Sequence, residues 1–65
     1  KFRLTPVEKE IMPLLADGYS HKMIASELHK SPEAIKSTIF RACKRFGLEA
    51  NGKKLVAFCN KQGLL

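Results

Sequence analysis

Two serines, Ser20 and Ser31, each just ahead of a helical pattern, constrain the fold of this 65-residue chain more than any other feature. A serine at such a boundary caps a helix, because its hydroxyl accepts an amide proton that the first turn leaves free. Gly18, ahead of Ser20, ends a preceding helix. Pro32 fits the first helical position after Ser31, where a missing N–H costs nothing. Between the serines there is room only for a short helix through Met23-Ile24-Ala25-x-x-Leu28 and a turn over His29 and Lys30. The chain therefore reads as helix, stop, short capped helix, brief turn, and a further helix.

The flanks extend this pattern. Thr5-Pro6-Val7-Glu8 is a capping box, and apolar residues at Val7, Ile11, Leu14 and Leu15 follow helical spacing behind it. Pro13 is the misfit, and predicts a kink or a helix that effectively begins later than Thr5. Tyr19 can fold back on Leu14, and pairs with Ile24 as a hydrophobic staple for the second helix. Ile24, Ala25 and Leu28 form that helix's inner face, and His29 needs a left-handed conformation. Ile35, Ile39, Ala42 and Phe46 make one buried stripe on the third helix, about 32–46, which Gly47 ends. Asn51-Gly52 opens a fourth helix running through Gln62, closed by Gly63, with Leu55, Phe58 and Cys59 toward the core and Leu64 and Leu65 packing after it. The predicted fold is all-α: a compact four-helix domain with a helix-turn-helix, its third helix the recognition element.

Length allows one domain at most, near the lower limit for independent folding, and 45% hydrophobic residues let a core close if every helix contributes. Cys43 and Cys59 form no C-x-x-C and lack zinc-ligand spacing with His21 and His29, so they read as small apolar packers. No catalytic constellation, metal site or cofactor motif stands out, and no apolar run spans a membrane. A non-enzymatic, cytoplasmic module is expected, and a start at Lys1 suits a piece of a longer protein.

Charge is uneven. Residues 1–35 balance five basic against five acidic side chains, whereas 36–65 carry seven basic against Glu49 alone, so the whole +6 lies in the second half. Opposite the apolar stripe of the third helix fall Lys36, Ser37, Phe40, Arg41 and Lys44. A basic helix behind a capped brace suits double-stranded DNA, with the third helix in the major groove. Lys36 is a candidate for a base edge or a nearby phosphate, Ser37 for a base edge, and Phe40 for a thymine methyl or, alternatively, a core or domain contact. Arg41, Lys44 and Ser20 are candidates for phosphates, and Lys22 reads either as a phosphate contact or as an ordinary solvated lysine. Arg45 reads either as a phosphate contact or as solvated, and Lys53 and Lys54 either as phosphate contacts or as loop charges.

These residues resemble the LuxR-type (GerE- or NarL-type) helix-turn-helix domain of bacterial transcription regulators. The likeness is carried by Leu4-Thr5-Pro6-x-Glu8-x-Glu10-Ile11, Leu14-Leu15-Ala16-x-Gly18-x-Ser20-x-Lys22-x-Ile24-Ala25-x-x-Leu28, Ser31-x-x-x-Ile35-Lys36, Arg41, Lys44-Arg45-Phe46-Gly47, Leu55-Val56-Ala57-Phe58 and Gly63-Leu64-Leu65. The resemblance implies a C-terminal module of 1–65 behind a sensor or receiver domain, a homodimer on DNA through the fourth helix, and phosphate contacts at the positions of Ala34 and Thr38. Val56 and Asn60 are then the dimer candidates, although Val56 reads equally as a core edge. Lys30, Ala34, Thr38, Phe40 and a longer 48–54 loop depart from the family pattern, so no base preference carries over. Two rivals stand beside it. One is region 4 of a sigma factor, against which Val56-Ala57-Phe58 and Gly63-Leu64-Leu65 speak. The other is a helical interaction module whose basic face docks an acidic partner.

Overall fold

Each helix begins where a short polar side chain can take over an amide that the first turn leaves unpaired. In the computed structural model, which describes residues 2–65, this gives α1 (Pro6–Ala16), α2 (His21–Leu28), α3 (Pro32–Arg45) and α4 (Gly52–Lys61). Lys1, counted above in the charge of the first half, lies outside the described residues. The Thr5–Glu8 capping box is complete: Glu8 N donates to Thr5 Oγ1 at 3.2 Å and Thr5 N to Glu8 Oε1 at 2.9 Å. Ser20 accepts from Met23 N, Ser31 from Ala34 N, and Asn51 from both Lys53 N and Lys54 N.

The four helices also end alike, with the amide just after a left-handed corner residue folded back onto the last turn. Tyr19 N donates to Leu14 O, Lys30 N to Ala25 O, Leu48 N to Cys43 O and Leu64 N to Cys59 O. The motif needs a left-handed residue at its corner. Glycine supplies it after α1, α3 and α4, whereas His29 adopts it after α2 with φ 57° and ψ 45°. Tyr19 thus folds back over Leu14 as the sequence predicts.

α2 and α4 each pack against both α1 and α3 and not against one another, so α3 is gripped from three sides. The core contains Ile11 and Met12 from α1, Ile24 and Ala25 from α2, Ile35, Ile39, Ala42 and Cys43 from α3, and Leu55 and Cys59 from α4, with Leu4 and Phe46 closing it. Both cysteines are unpaired and buried, as expected of small apolar packers. Burial above all pushes the Cys59 thiol above its ordinary pKa, so it stays protonated at neutral pH.

Three sequence expectations are adjusted. α1 starts at Pro6 with Pro13 inside the helix, so the later start is not realised. The carbonyl that Pro13 leaves without a donor is that of Lys9, and both residues lie on the exposed side, where water can serve it. Val7, read as part of the inner face, is exposed, and Glu8 and Met12 turn inward instead. Phe58 packs against the core as expected but is only half-buried at its edge, with the Phe2 ring beside it.

Candidate nucleic-acid interface

A helix advances about 100° per residue. On α3 that step puts Ile35, Ile39, Ala42 and Phe46 inward, and all four are buried. The same step aligns Glu33, Ser37, Phe40 and Lys44 within an arc of about 60° on the opposite side. All four are exposed. Lys36 flanks this line on one side and Ala34 and Arg41 on the other, with Thr38 half-buried at the margin. The expected surface therefore exists as one face, but its centre includes Glu33, which the sequence reading passed over. The missed signal was angular, because a first-turn acid looks like an ordinary helix-start charge until its place on the outer face is counted.

Lys36 Nζ stands 5.5 Å from the centroid of the Phe40 ring, a cation–π contact one turn along the helix. Phe40 is 38% exposed, so it does not turn into the core. Among the described residues, no salt bridge engages Lys22, Lys36, Arg41 or Lys44. Ser20 Oγ accepts from Met23 N, which leaves its own proton free to donate. Thr38 has no such freedom, since its Oγ1 donates to Ala34 O at 2.9 Å. The Ala34 amide is likewise taken by Ser31 Oγ at 3.1 Å. Both residues line the flank of the face without a free donor.

Arg45 departs most from expectation. Read from sequence as phosphate-contacting or solvated, it stays partly exposed but is engaged in an ion pair that neither reading included. Its Nη1 donates to Glu8 Oε2 at 2.9 Å, and Nη2 to Glu8 Oε1 at 2.6 Å and to Arg3 O at 3.0 Å. Its guanidinium also lies 4.7 Å from the Phe46 ring centroid. Phe46, Phe58 and Phe2 complete the cluster, with centroids 4.9 to 5.5 Å apart. Burial works to raise the Glu8 pKa, but the Arg45 and Thr5 hydrogen bonds and the Arg45 charge outweigh it and hold it below the usual value. The same pairing raises Arg45 further. The lock joins the start of α1 to the end of α3 and fixes the angle at which the outer face is presented.

The other basic residues divide similarly. Lys54 pairs with Glu49 across an exposed turn. Lys53 is exposed beside a groove formed by Leu15, Ala16, Gly18, Tyr19, Gly52 and Val56. Val56 is half-buried there, both packed on the core and open to the groove, and Asn60 is exposed one turn later. Among the described residues, no group of three or more His, Cys, Asp or Glu is placed to hold a metal ion, and no helix is long and apolar enough to cross a membrane.

With this geometry in place, comparison with known proteins is specific at the level of the family. The model of sigma-70, region 4 matches residues 3–46, from just before α1 to the end of α3. No curated protein and no solved structure matches the chain. The fourth helix, used above to argue against region 4, lies outside the matched residues and so does not bear on the match. What the LuxR-type resemblance and the match share is the helix-turn-helix itself. The capped brace, the turn and the outward-facing third helix all fall within a match covering more than half of the chain, which belongs to the sigma-70 region 4 family of helix-turn-helix DNA-binding domains.

Proposed function

We propose that this domain binds double-stranded DNA sequence-specifically for transcription regulation, laying α3 in the major groove while α2 braces it across the backbone. The observation that carries the reading is the contrast on α3: Arg45 is tied to Glu8, whereas Lys36, Arg41 and Lys44, with no salt bridge among the described residues, share an exposed face with Ser37 and Phe40. Lys36 donates to guanine O6 and N7, Ser37 exchanges hydrogen bonds with a neighbouring edge, and Phe40 covers a thymine methyl. Glu33 joins them, because the exposed amino group of cytosine N4 is the partner a carboxylate finds in the groove. Arg41, Lys44, Lys22 and the Ser20 hydroxyl hold phosphates on either side. Ala34 and Thr38 border the passing strand by van der Waals contact. The domain works in the cytoplasm, behind a sensor or receiver domain of the same protein.

Two modes of engagement follow from the two resemblances. In the LuxR-like mode, Val56 and Asn60 of α4 pair two copies over symmetric half-sites. In the manner of sigma region 4, one copy reads one promoter element without α4. The half-exposed Val56 beside exposed Asn60 favours the first, and the confinement of the match to α1–α3 favours the second. Selection of bound duplexes from random DNA at fixed salt separates them, as inverted repeats mean a dimer and a single asymmetric element means one copy. No enrichment, together with capture by an acidic protein, would replace the DNA reading with the interaction-module one.

A further inference from the structure

Resting on the DNA-binding reading, we propose that Lys36 and Phe40 form one reading unit that recognises a guanine and a thymine at adjoining base pairs, sensing the thymine by its methyl group.

The two side chains already touch in the free protein. Lys36 Nζ lies 5.5 Å from the Phe40 centroid, on a face with no competing carboxylate partner for either among the described salt bridges. A lysine ordinarily samples many rotamers, and holding its ammonium against a ring removes part of that freedom before DNA arrives. The ring stays partly open to solvent, the residue being 38% exposed. The only apolar group that the major groove offers such a surface is the thymine C5-methyl, and the strongest acceptor pair it offers an ammonium is guanine O6 and N7. Stacked bases rise about 3.4 Å per step. Guanine and thymine do not share a Watson–Crick pair, so a cation and a ring centre 5.5 Å apart, a span of less than two steps, reach adjoining pairs. Ser37 and Arg41, both on the side of Phe40 away from Lys36, can hold the backbone and edges around the step without supplying an apolar contact. The signature is a preference for a step that joins G and T on one strand, lost when the methyl is removed although every hydrogen-bonding group remains.

The probe is the set of duplexes enriched by selection, with each thymine replaced singly by deoxyuridine. The unit predicts one thymine beside a guanine in each bound site whose replacement weakens binding by about three- to fivefold, the worth of one buried methyl. Replacing the neighbouring guanine by 7-deazaguanine weakens wild-type binding and leaves Lys36→Ala indifferent. Phe40→Ala abolishes the deoxyuridine penalty while keeping the salt dependence of binding, and circular dichroism confirms that it folds. Across the Lys36→Ala and Phe40→Ala double-mutant cycle, the combined loss falls short of the product of the single losses by about threefold or more. The proposal is overturned if wild-type protein tolerates deoxyuridine at every thymine, if Phe40→Ala retains the penalty, or if the cycle is multiplicative. In each of these outcomes DNA binding itself survives. Failure to bind any duplex overturns the proposed function along with the unit.

Discussion

Lys44 and Arg45 are adjacent basic residues at the end of α3, and the fold uses them in opposite ways. Lys44 stands on the outer line with Glu33, Ser37 and Phe40, open to solvent. Arg45, about 100° further round the helix, is clamped by both carboxylate oxygens of Glu8 and by the Arg3 carbonyl. Formal charge treats the pair as equal contributors to a polyanion surface. The structure divides them into one residue that presents charge and one that spends it on holding α3 against α1. A count of lysines and arginines therefore overstates the interface, and the angle around the helix decides which of them belong to it.

Substitutions on the two faces of α3 test this division, beginning with the largest effect. Ile39→Ala on the buried stripe removes a fully enclosed side chain, and about 2–5 kcal/mol of stability should go with it in chemical denaturation. A loss below about 1 kcal/mol would mean that the stripe is not what holds the helix. Glu8→Gln comes next. It preserves a capping acceptor and roughly the same shape but deletes the charge facing Arg45. Because Arg45 is 41% exposed at its side chain, solvent softens the loss, and about 1–2 kcal/mol is expected. Unchanged stability in Glu8→Gln would show the lock to be ornamental.

Acid should reveal the same lock without mutation. The Glu8 carboxyl titrates below its unfolded value in the native state, so the unfolded chain binds more protons in the window between the two values. The stabilisation is complete above the unfolded value of about 4.3 and is lost as pH falls through the native one. Wild type should therefore lose stability on acidification more steeply than Glu8→Gln, and parallel curves would rule the lock out as the cause. Lys44→Ala, by contrast, should change stability by no more than about 0.5 kcal/mol while weakening binding to every duplex alike. Any large shift in its melting temperature would place Lys44 with the structural residues. The smallest effect belongs to the corner of the turn. His29→Gly relieves a left-handed non-glycine residue at the cost of a looser unfolded chain, for a net gain of at most about 0.3 kcal/mol. A lowered melting temperature would mean that the His29 ring makes a contact worth more than the backbone relief.

What was legible in the sequence follows the range of the interactions involved. Thr5, Ser20, Ser31 and Asn51 could be read as helix starts because a cap acts over three residues, and all four do so. The α3 stripe was legible because its period is that of the helix itself. The Glu8–Arg45 pair joins residues 37 positions apart, and nothing local distinguishes that arginine from Lys44. Phe2 was invisible for the same reason, since its partners Phe46 and Phe58 lie at the other end of the chain. Pro13 did not delay the start of α1, because Lys9, whose carbonyl it leaves without a donor, lies on the exposed side where water can serve it. Val7 was misassigned because the capping box rotates Glu8, not its neighbour, toward the core. At the candidate interface, Lys36, Ser37, Phe40, Arg41 and Lys44 were legible as one face, whereas Glu33 required its angle as well as its charge.

The most direct test is the salt dependence of DNA binding by wild type, by Arg41→Ala/Lys44→Ala and by Arg45→Met, each shown to be folded at the temperature used. If the outer face of α3 carries the phosphate contacts, the double substitution lowers the slope of log affinity against log salt by about two, one for each released contact. Arg45→Met then weakens the fold but leaves that slope unchanged. A slope that drops for Arg45→Met and stays at the wild-type value for the double substitution would contradict the division of α3 into a holding face and a reading face.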